Sequence, residues 1–102
     1  DTPELREALL RRTEDPHADT RGEAILGLAR RHDPRALALV LRELSSGASG
    51  PLYLEAAAEL ADLSLLPALR ALRERWNGPD WMREELEKAL ARCEGKRAQE
   101  GR

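Results

Sequence analysis

The 102-residue chain is long enough for one domain with a modest core and too short for two. Its 41% hydrophobic content and net charge of −2 exclude a disordered polar segment and argue against a nucleic-acid binder, which needs a strongly basic surface. No apolar run reaches the roughly 18 residues of a membrane span, and a single Cys93 favours a reducing, cytoplasmic setting.

The first half of the chain predicts three helices. Thr2 is a good cap for the first, and the second begins at a cap provided by Asp19 or Thr20. Asp33-Pro34 opens the third. The second and third helices carry apolar residues at helical spacing: Ala24, Ile25, Leu28 and Ala29, then Leu37, Val40, Leu41 and Leu44.

The second half predicts three more helices, which begin at Pro51, behind a cap at Ser64, and behind a cap at Asp80. Leu, Ala, Arg and Glu are strong helix formers, and residues that favour strands are scarce, so the fold class is all-α. Residues 95–102 have no apolar anchor and are predicted to be a disordered tail behind a single domain at 1–94.

The sequence repeats itself at a spacing typical of stacked helix pairs. Glu23-Ala24 and Leu28-Ala29 recur 32 residues later as Glu55-Ala56 and Leu60-Ala61. A weaker third copy consists of Glu85 and Leu90-Ala91, and the residues Asp33, Leu37 and Val40 recur as Asp62, Leu66 and Leu69. One helix pair is too small to bury its own apolar stripe, so we expect the pairs to stack and share an elongated core.

Residues 15–21, 23–29, 33–37 and 62–69 resemble bacterial HEAT repeats of the phycobilisome-lyase-like type. Over about residues 15–76, the resemblance implies a right-handed α-α superhelix, a short HEAT-like solenoid of about six helices. Tyr53 departs from the pattern, since the analogy with Arg21 leads one to expect arginine there. The lyase activity in the family's name attaches to no residue of this chain.

Several side chains could carry chemistry, and each also has a structural interpretation. Asp15, His17 and Asp19 alternate like metal ligands, but turn and cap duty explains the aspartates better. Cys93 has no base beside it in the sequence and is predicted to pack in the core. With no catalytic motif either, the sequence predicts a non-enzymatic protein without metal or cofactor.

Two local clusters leave a binding role open. His32 lies in a basic knot with Arg30, Arg31 and Arg35, which could contact phosphate or an acidic peptide, or could simply complement a helix dipole. Trp76 and Trp81 flank the turn Asn77-Gly78-Pro79. They could form a binding platform, but sealing the end of the core is the favoured interpretation.

The leading hypothesis is an interaction module whose third and fifth helices line a shallow concave surface for another protein or peptide. The residues predicted to face that partner are Arg35, Arg42, Arg70 and Arg73. A nucleic-acid-binding HEAT-like module and an accessory or lyase-like enzyme component are the alternatives. Because the chain starts at Asp1 and its only methionine is Met82, we expect a processed product or a piece of a longer protein. Partly uncovered terminal stripes then predict self-association or additional repeats.

Overall fold

The computed structural model describes residues 1–47 and 50–100, with side chains up to Gly95. This part contains six α-helices, one 3₁₀ turn at Leu63–Leu65 and no strand, which confirms the all-α prediction. The helices are α1 (Pro3–Arg12), α2 (Ala18–Arg30), α3 (Ala36–Ser45), α4 (Pro51–Leu60), α5 (Leu66–Glu74) and α6 (Asp80–Glu100). Among the described residues, no helix is both long enough and apolar enough to cross a bilayer.

The helix ends follow from local hydrogen bonds. Thr2 Oγ1 accepts a bond from the Leu5 amide at 3.1 Å, which confirms the predicted cap of α1. Helix α2 instead begins after His17, which makes no side-chain cap, so the predicted cap at Asp19 or Thr20 is wrong. The helix starts earlier because the Asp15 carboxylate accepts the His17 amide at 2.8 Å and closes the preceding turn.

Two aspartates 29 residues apart make the same turn before α3 and α5. Asp33 accepts the Arg35 amide, and Asp62 accepts the Ser64 amide, each at 2.9 Å. The prediction that Ser64 caps α5 is therefore wrong. Asp62 starts this turn instead, and the Ser64 hydroxyl donates to it at 2.6 Å. Both helices start within three residues after these turns.

The helices form two rows. Helix α2 packs against α4, and α4 packs against α6, so the even-numbered helices lie side by side. Helix α3 packs against α5 and also contacts α2 and α4, while α5 contacts α6 and α1 contacts α2. The shortest extent of the Cα trace, 20 Å, corresponds to two helix layers.

The core repeats from one even-numbered helix to the next with a period of 32 residues. Buried residues at equivalent positions are Gly22, Leu54 and Leu86, then Ile25, Ala57 and Ala89, then Leu26, Ala58 and Leu90. In the third copy predicted from the sequence, Leu90 is buried but Ala91 is exposed, so the predicted 30-residue displacement into α6 is wrong. Cys93, which is buried, occupies the position of Ala29 in α2.

The backbone of residues 95–100 is helical, although the sequence predicted a disordered tail from residue 95. Lys, Arg, Ala, Gln and Glu propagate an existing helix well, and one internal glycine costs only about 1 kcal/mol relative to alanine. Residues 101–102 of the predicted tail lie outside the described residues.

Candidate interaction surface

The four arginines predicted to face a partner are each paired with a carboxylate of the chain itself. Their side chains are 40–42% exposed. Arg35 Nη1 lies 2.9 Å from Glu7 Oε1, and Arg42 Nη1 lies 2.9 Å from Glu14 Oε1. Arg42 also donates to the Thr13 carbonyl at 3.0 Å. These bonds tie α3 to α1 and to the turn that follows α1.

The other two arginines bridge a different pair of helices. Arg70 Nη2 lies 3.4 Å from Glu94, and Arg73 Nη1 lies 3.7 Å from Glu87, so both connect α5 to α6. The structure therefore places the four arginines in two pairs on two helix–helix seams. Their role in partner binding stays a prediction.

Asp33 is the centre of a buried ionic cluster at the start of α3. Its carboxylate is 2% exposed and accepts bonds from Arg35 Nε and Nη2, both at 2.9 Å, and from Arg6 Nη1 at 3.4 Å. The Arg35 guanidinium holds the pKa of Asp33 well below its usual range, and burial opposes that shift without overcoming it. Arg6 also donates to the Arg31 carbonyl at 3.0 Å. The Asp33 carboxylate is therefore satisfied by arginines of the chain itself.

A second buried carboxylate, Glu43, was not predicted from the sequence. It is 4% exposed and accepts a bond from Arg21 Nε at 2.8 Å. Arg21 Nη1 donates in turn to the carbonyls of Asp15 and Pro16, at 3.0 and 3.1 Å. A charged residue three positions after Val40, on the apolar stripe of α3, was the signal that could have revealed this pair.

Tyr53 stands at the repeat position of Arg21 but makes a different bond. The two residues are 32 positions apart, and the Tyr53 hydroxyl donates to the Ala18 carbonyl at 2.8 Å. Both side chains thus bond backbone carbonyls in the turn that leads into α2 or at its first residue. Arg21 bonds the turn before its own helix, whereas Tyr53, on α4, bonds the start of the neighbouring helix α2, so the tyrosine does not reproduce the bonds of Arg21.

The chemistry-bearing residues singled out from the sequence make structural contacts. His17 Nδ1 lies 3.0 Å from Asp15 Oδ1, and the His17 backbone bond is the main cause of a lowered pKa at Asp15. In the described part of the chain, no three His, Cys, Asp or Glu side chains gather as metal ligands. Burial raises the pKa of the Cys93 thiol to about 11, which keeps it protonated.

The basic knot around His32 is a helix C-terminus. His32 has a left-handed backbone (φ 54°), and the Asp33 amide reaches back to the Leu28 carbonyl at 3.1 Å, which closes a Schellman motif. Arg31 Nη1 donates to the Gly27 carbonyl at 2.8 Å. Arg31 thus binds a carbonyl near the C-terminus of α2, as expected if the cation complements the helix dipole.

The two tryptophans have different environments. Trp76 is half-buried, and its indole Nε1 donates to the Gly78 carbonyl at 3.1 Å. Trp81 is 57% exposed, so the prediction that both tryptophans seal the core is wrong for Trp81. It lies in the first turn of α6, before the buried stripe that begins at Leu86. A cavity of about 360 Å³ lies between the end of α5 and the start of α6.

The described residues define an all-α protein of two helix rows in which the buried side chains of Thr13, Asp33 and Glu43 each have a hydrogen-bond partner. Protein YibA of Escherichia coli strain K12 and Protein YibA of Escherichia coli O157:H7 are each 36% identical to this chain over 69 residues. The match covers 68% of this chain and 25% of each relative, so the chain spans a quarter of the length of the curated relatives it matches. No family model and no solved structure matches the chain.

Proposed function

We propose that this chain is a non-enzymatic interaction module, a short right-handed HEAT-like solenoid that binds another protein or peptide in the cytoplasm. The observation that carries the proposal is the 32-residue repeat of buried positions through α2, α4 and α6. Equivalent residues then have equivalent neighbours, which is the property of stacked repeats. Stacked repeats leave extended surfaces, and such surfaces are suited to binding other chains.

The order of helix contacts supports stacking over a closed bundle. Helices α2 and α6 both pack on α4 and do not form a packed pair with each other among the described residues. Among the odd-numbered helices, α3 packs on α5, whereas α1 packs on α2. A bundle closed around one axis would bring the first and last members of a row together.

The buried polar residues support a structural rather than a catalytic use of the chain's charges. Thr13 donates to the Leu10 carbonyl at 2.6 Å, while Asp33 and Glu43 are bound by arginines. A carboxyl group that acts as a general acid near neutral pH needs an environment that raises its pKa, whereas the pKa of Asp33 is lowered. An accessory or lyase-like enzyme component is therefore the weaker candidate.

A charge-reversal experiment tests the proposal. The tagged chain would be used to purify binding proteins from its source cells, alongside a variant with glutamate at Arg35, Arg42, Arg70 and Arg73. We expect the variant to lose a protein that the unmodified chain retains, and a matched variant with glutamate at Arg11, Arg12, Arg30 and Arg83 to keep it. Because Arg35→Glu also removes the partner of the buried Asp33, circular dichroism would be measured on both variants, and a variant with glutamate only at Arg42, Arg70 and Arg73 would replace the first one if that one is unfolded. Retention of every partner by the first variant would contradict the assigned surface.

The nucleic-acid alternative is disfavoured by the pairing of all four candidate arginines with carboxylates. A phosphate would have to displace an acid that is already in place, at a net charge of −2. Filter binding of DNA and RNA at rising salt tests this alternative. Salt-dependent retention of DNA or RNA would support the nucleic-acid alternative.

A further inference from the structure

The turn between α5 and α6 bounds a groove of about 360 Å³, whose floor of apolar side chains is bordered by Arg75 and the polar turn residue Asn77. Leu72 and Trp76 line it from α5 and its end, and Pro79 and Met82 line it from the start of α6. Leu72 is buried, and Trp76 and Met82 are half-buried. A bulky apolar side chain of a partner could therefore replace water over this floor.

Trp76 is held in place before any ligand arrives. Its indole donates to the Gly78 carbonyl, and a Cβ atom added at Gly78 would lie 2.9 Å from Trp76 Cζ2. The ring thus lies directly against the glycine backbone, which a larger residue would prevent. A fixed aromatic side chain loses little conformational entropy when a partner packs on it.

An exposed tryptophan stands beside the groove. Trp81 immediately precedes Met82 and exposes 57% of its surface. Leu5 is the other exposed large apolar residue among those described, and it lies on α1. A tryptophan exposed beside an apolar groove is characteristic of a binding hot spot, because it gives a large buried area on contact.

The charge at the rim selects the kind of partner. Arg75 is the one charged residue among the described residues that line the groove, and it makes no ion pair with any described residue. Arg70 and Arg73 on the same helix are both paired. Asp80 is nearby in the first turn of α6 but does not line the groove. A carboxylate of the partner would therefore form a new pair with Arg75.

We propose that this groove binds a short peptide segment of a partner protein that carries a bulky apolar side chain with an Asp or Glu close beside it. The apolar side chain packs on Trp76 and Met82, and the carboxylate pairs with Arg75. This inference rests on the proposed interaction function and assigns to it a site and a ligand class.

The test begins with a display library of random twelve-residue peptides selected on the immobilised chain. We expect enrichment of sequences with Phe, Trp, Leu or Met within three positions of Asp or Glu. A synthetic peptide of the enriched sequence would then be titrated into ¹⁵N-labelled protein. The chain has two tryptophans, so two indole N–H signals report on Trp76 and Trp81 directly, and we expect both to shift.

A charge swap separates recognition from a structural effect. Arg75→Glu should weaken binding of the enriched peptide by about tenfold, which is 1.4 kcal/mol. The same peptide with its acid replaced by lysine should recover affinity for Arg75→Glu and lose it for the unmodified chain. Arg12→Glu, an equally exposed change on α1, should leave the affinity unaltered.

The possible failures point to different conclusions. Peptides that bind without moving either indole signal would overturn this site and leave the interaction function standing. Selection of no peptide motif, or an Arg75→Glu variant that binds normally or gains nothing from the lysine peptide, would also overturn the site. The interaction function would then be decided by the purification experiment, which does not depend on this groove.

Discussion

Removing the buried carboxylate of Asp33 is the sharpest perturbation that the structure offers. Asp33→Ala deprives the Arg35 amide, Nε and Nη2 of an acceptor at 2.9 Å and leaves Arg6 without its contact at 3.4 Å. The same carboxylate starts the turn into α3 and links that turn to α1. The change should therefore destabilise both the helix start and the contact between the two helices.

The size of the effect follows from burial. Breaking a fully buried ion pair costs about 3–5 kcal/mol. Arg35 is 41% exposed and Arg6 is 29% exposed, so water would partly replace the lost acceptor. We expect a loss of about 2 kcal/mol in the free energy of unfolding, and a melting temperature lower by roughly 8–16 °C for a domain of this size.

The effect should depend on pH in a defined direction. The pKa of Asp33 is lowered in the folded state by Arg35, while the unfolded chain has a value of about 3.9. A carboxyl group with a depressed folded pKa contributes stability that is present above the unfolded value and is lost as the pH falls through the folded one. The difference between the unmodified chain and Asp33→Ala should be constant near neutrality and shrink below about pH 4.

Urea unfolding followed by circular dichroism at several pH values measures this difference. Asp19→Ala is the matched control, because Asp19 is exposed, and it should change stability by less than about 0.5 kcal/mol. If Asp33→Ala costs no more than the control at pH 7, the cluster does not stabilise the fold. A cost that stays the same into acid would show that the charge of Asp33 is irrelevant to it.

Three further predictions concern the core. Gly22→Ala should destabilise the fold by about 1 kcal/mol because its Cβ would lie 3.0 Å from Leu52 Cβ. Gly27→Ala should stabilise the fold by about 0.5 kcal/mol, because its Cβ would meet the ends of flexible side chains: the Leu9 methyls at 3.3 and 3.4 Å and Arg31 Nη1 at 3.5 Å. Thermal melts giving the same sign for both variants would refute this. Glu43→Leu should lose about 2 kcal/mol, and a double-mutant cycle in urea with Arg21→Leu should show a coupling of about 1–2 kcal/mol, whereas additivity would contradict the pair. Cys93 should react with a disulfide reagent at pH 8 only as fast as the fold opens, so a urea-independent rate would be inconsistent with its burial and raised pKa.

Helical periodicity explains why the sequence predicted the helices and their inner faces well. Ala24, Ile25, Leu28 and Ala29 are all buried, as expected, because the spacing of apolar residues alone fixes which face of a helix turns inward. Helix starts were less predictable. Several polar residues compete for the same amide groups near residues 15–20, and only the folded turn decides in favour of Asp15.

The partners of the predicted arginines could not be read from the sequence. Glu7 and Glu14 are each 28 residues away from the arginine they bind, so the contact depends on how α3 approaches α1. The exposure of Trp81 has a similar origin, because it depends on which face of the first turn of α6 is covered. Sequence patterns within one helix carry no information about which other helix covers a given face.

These ion pairs change which arginines are suited to recognition. A partner carboxylate at Arg42 would replace Glu14 and exchange one ion pair for a similar one, so the gain is smaller than at an arginine without an ion pair. At Arg75 the same carboxylate would create a pair where the described residues have none, next to Trp76, whose indole is bound to the Gly78 carbonyl. We therefore expect Arg75→Glu to weaken peptide binding more than Arg42→Glu, measured by titration with the same selected peptide. If Arg42→Glu weakened binding more, the binding surface would lie between α1 and α3 instead of at the groove.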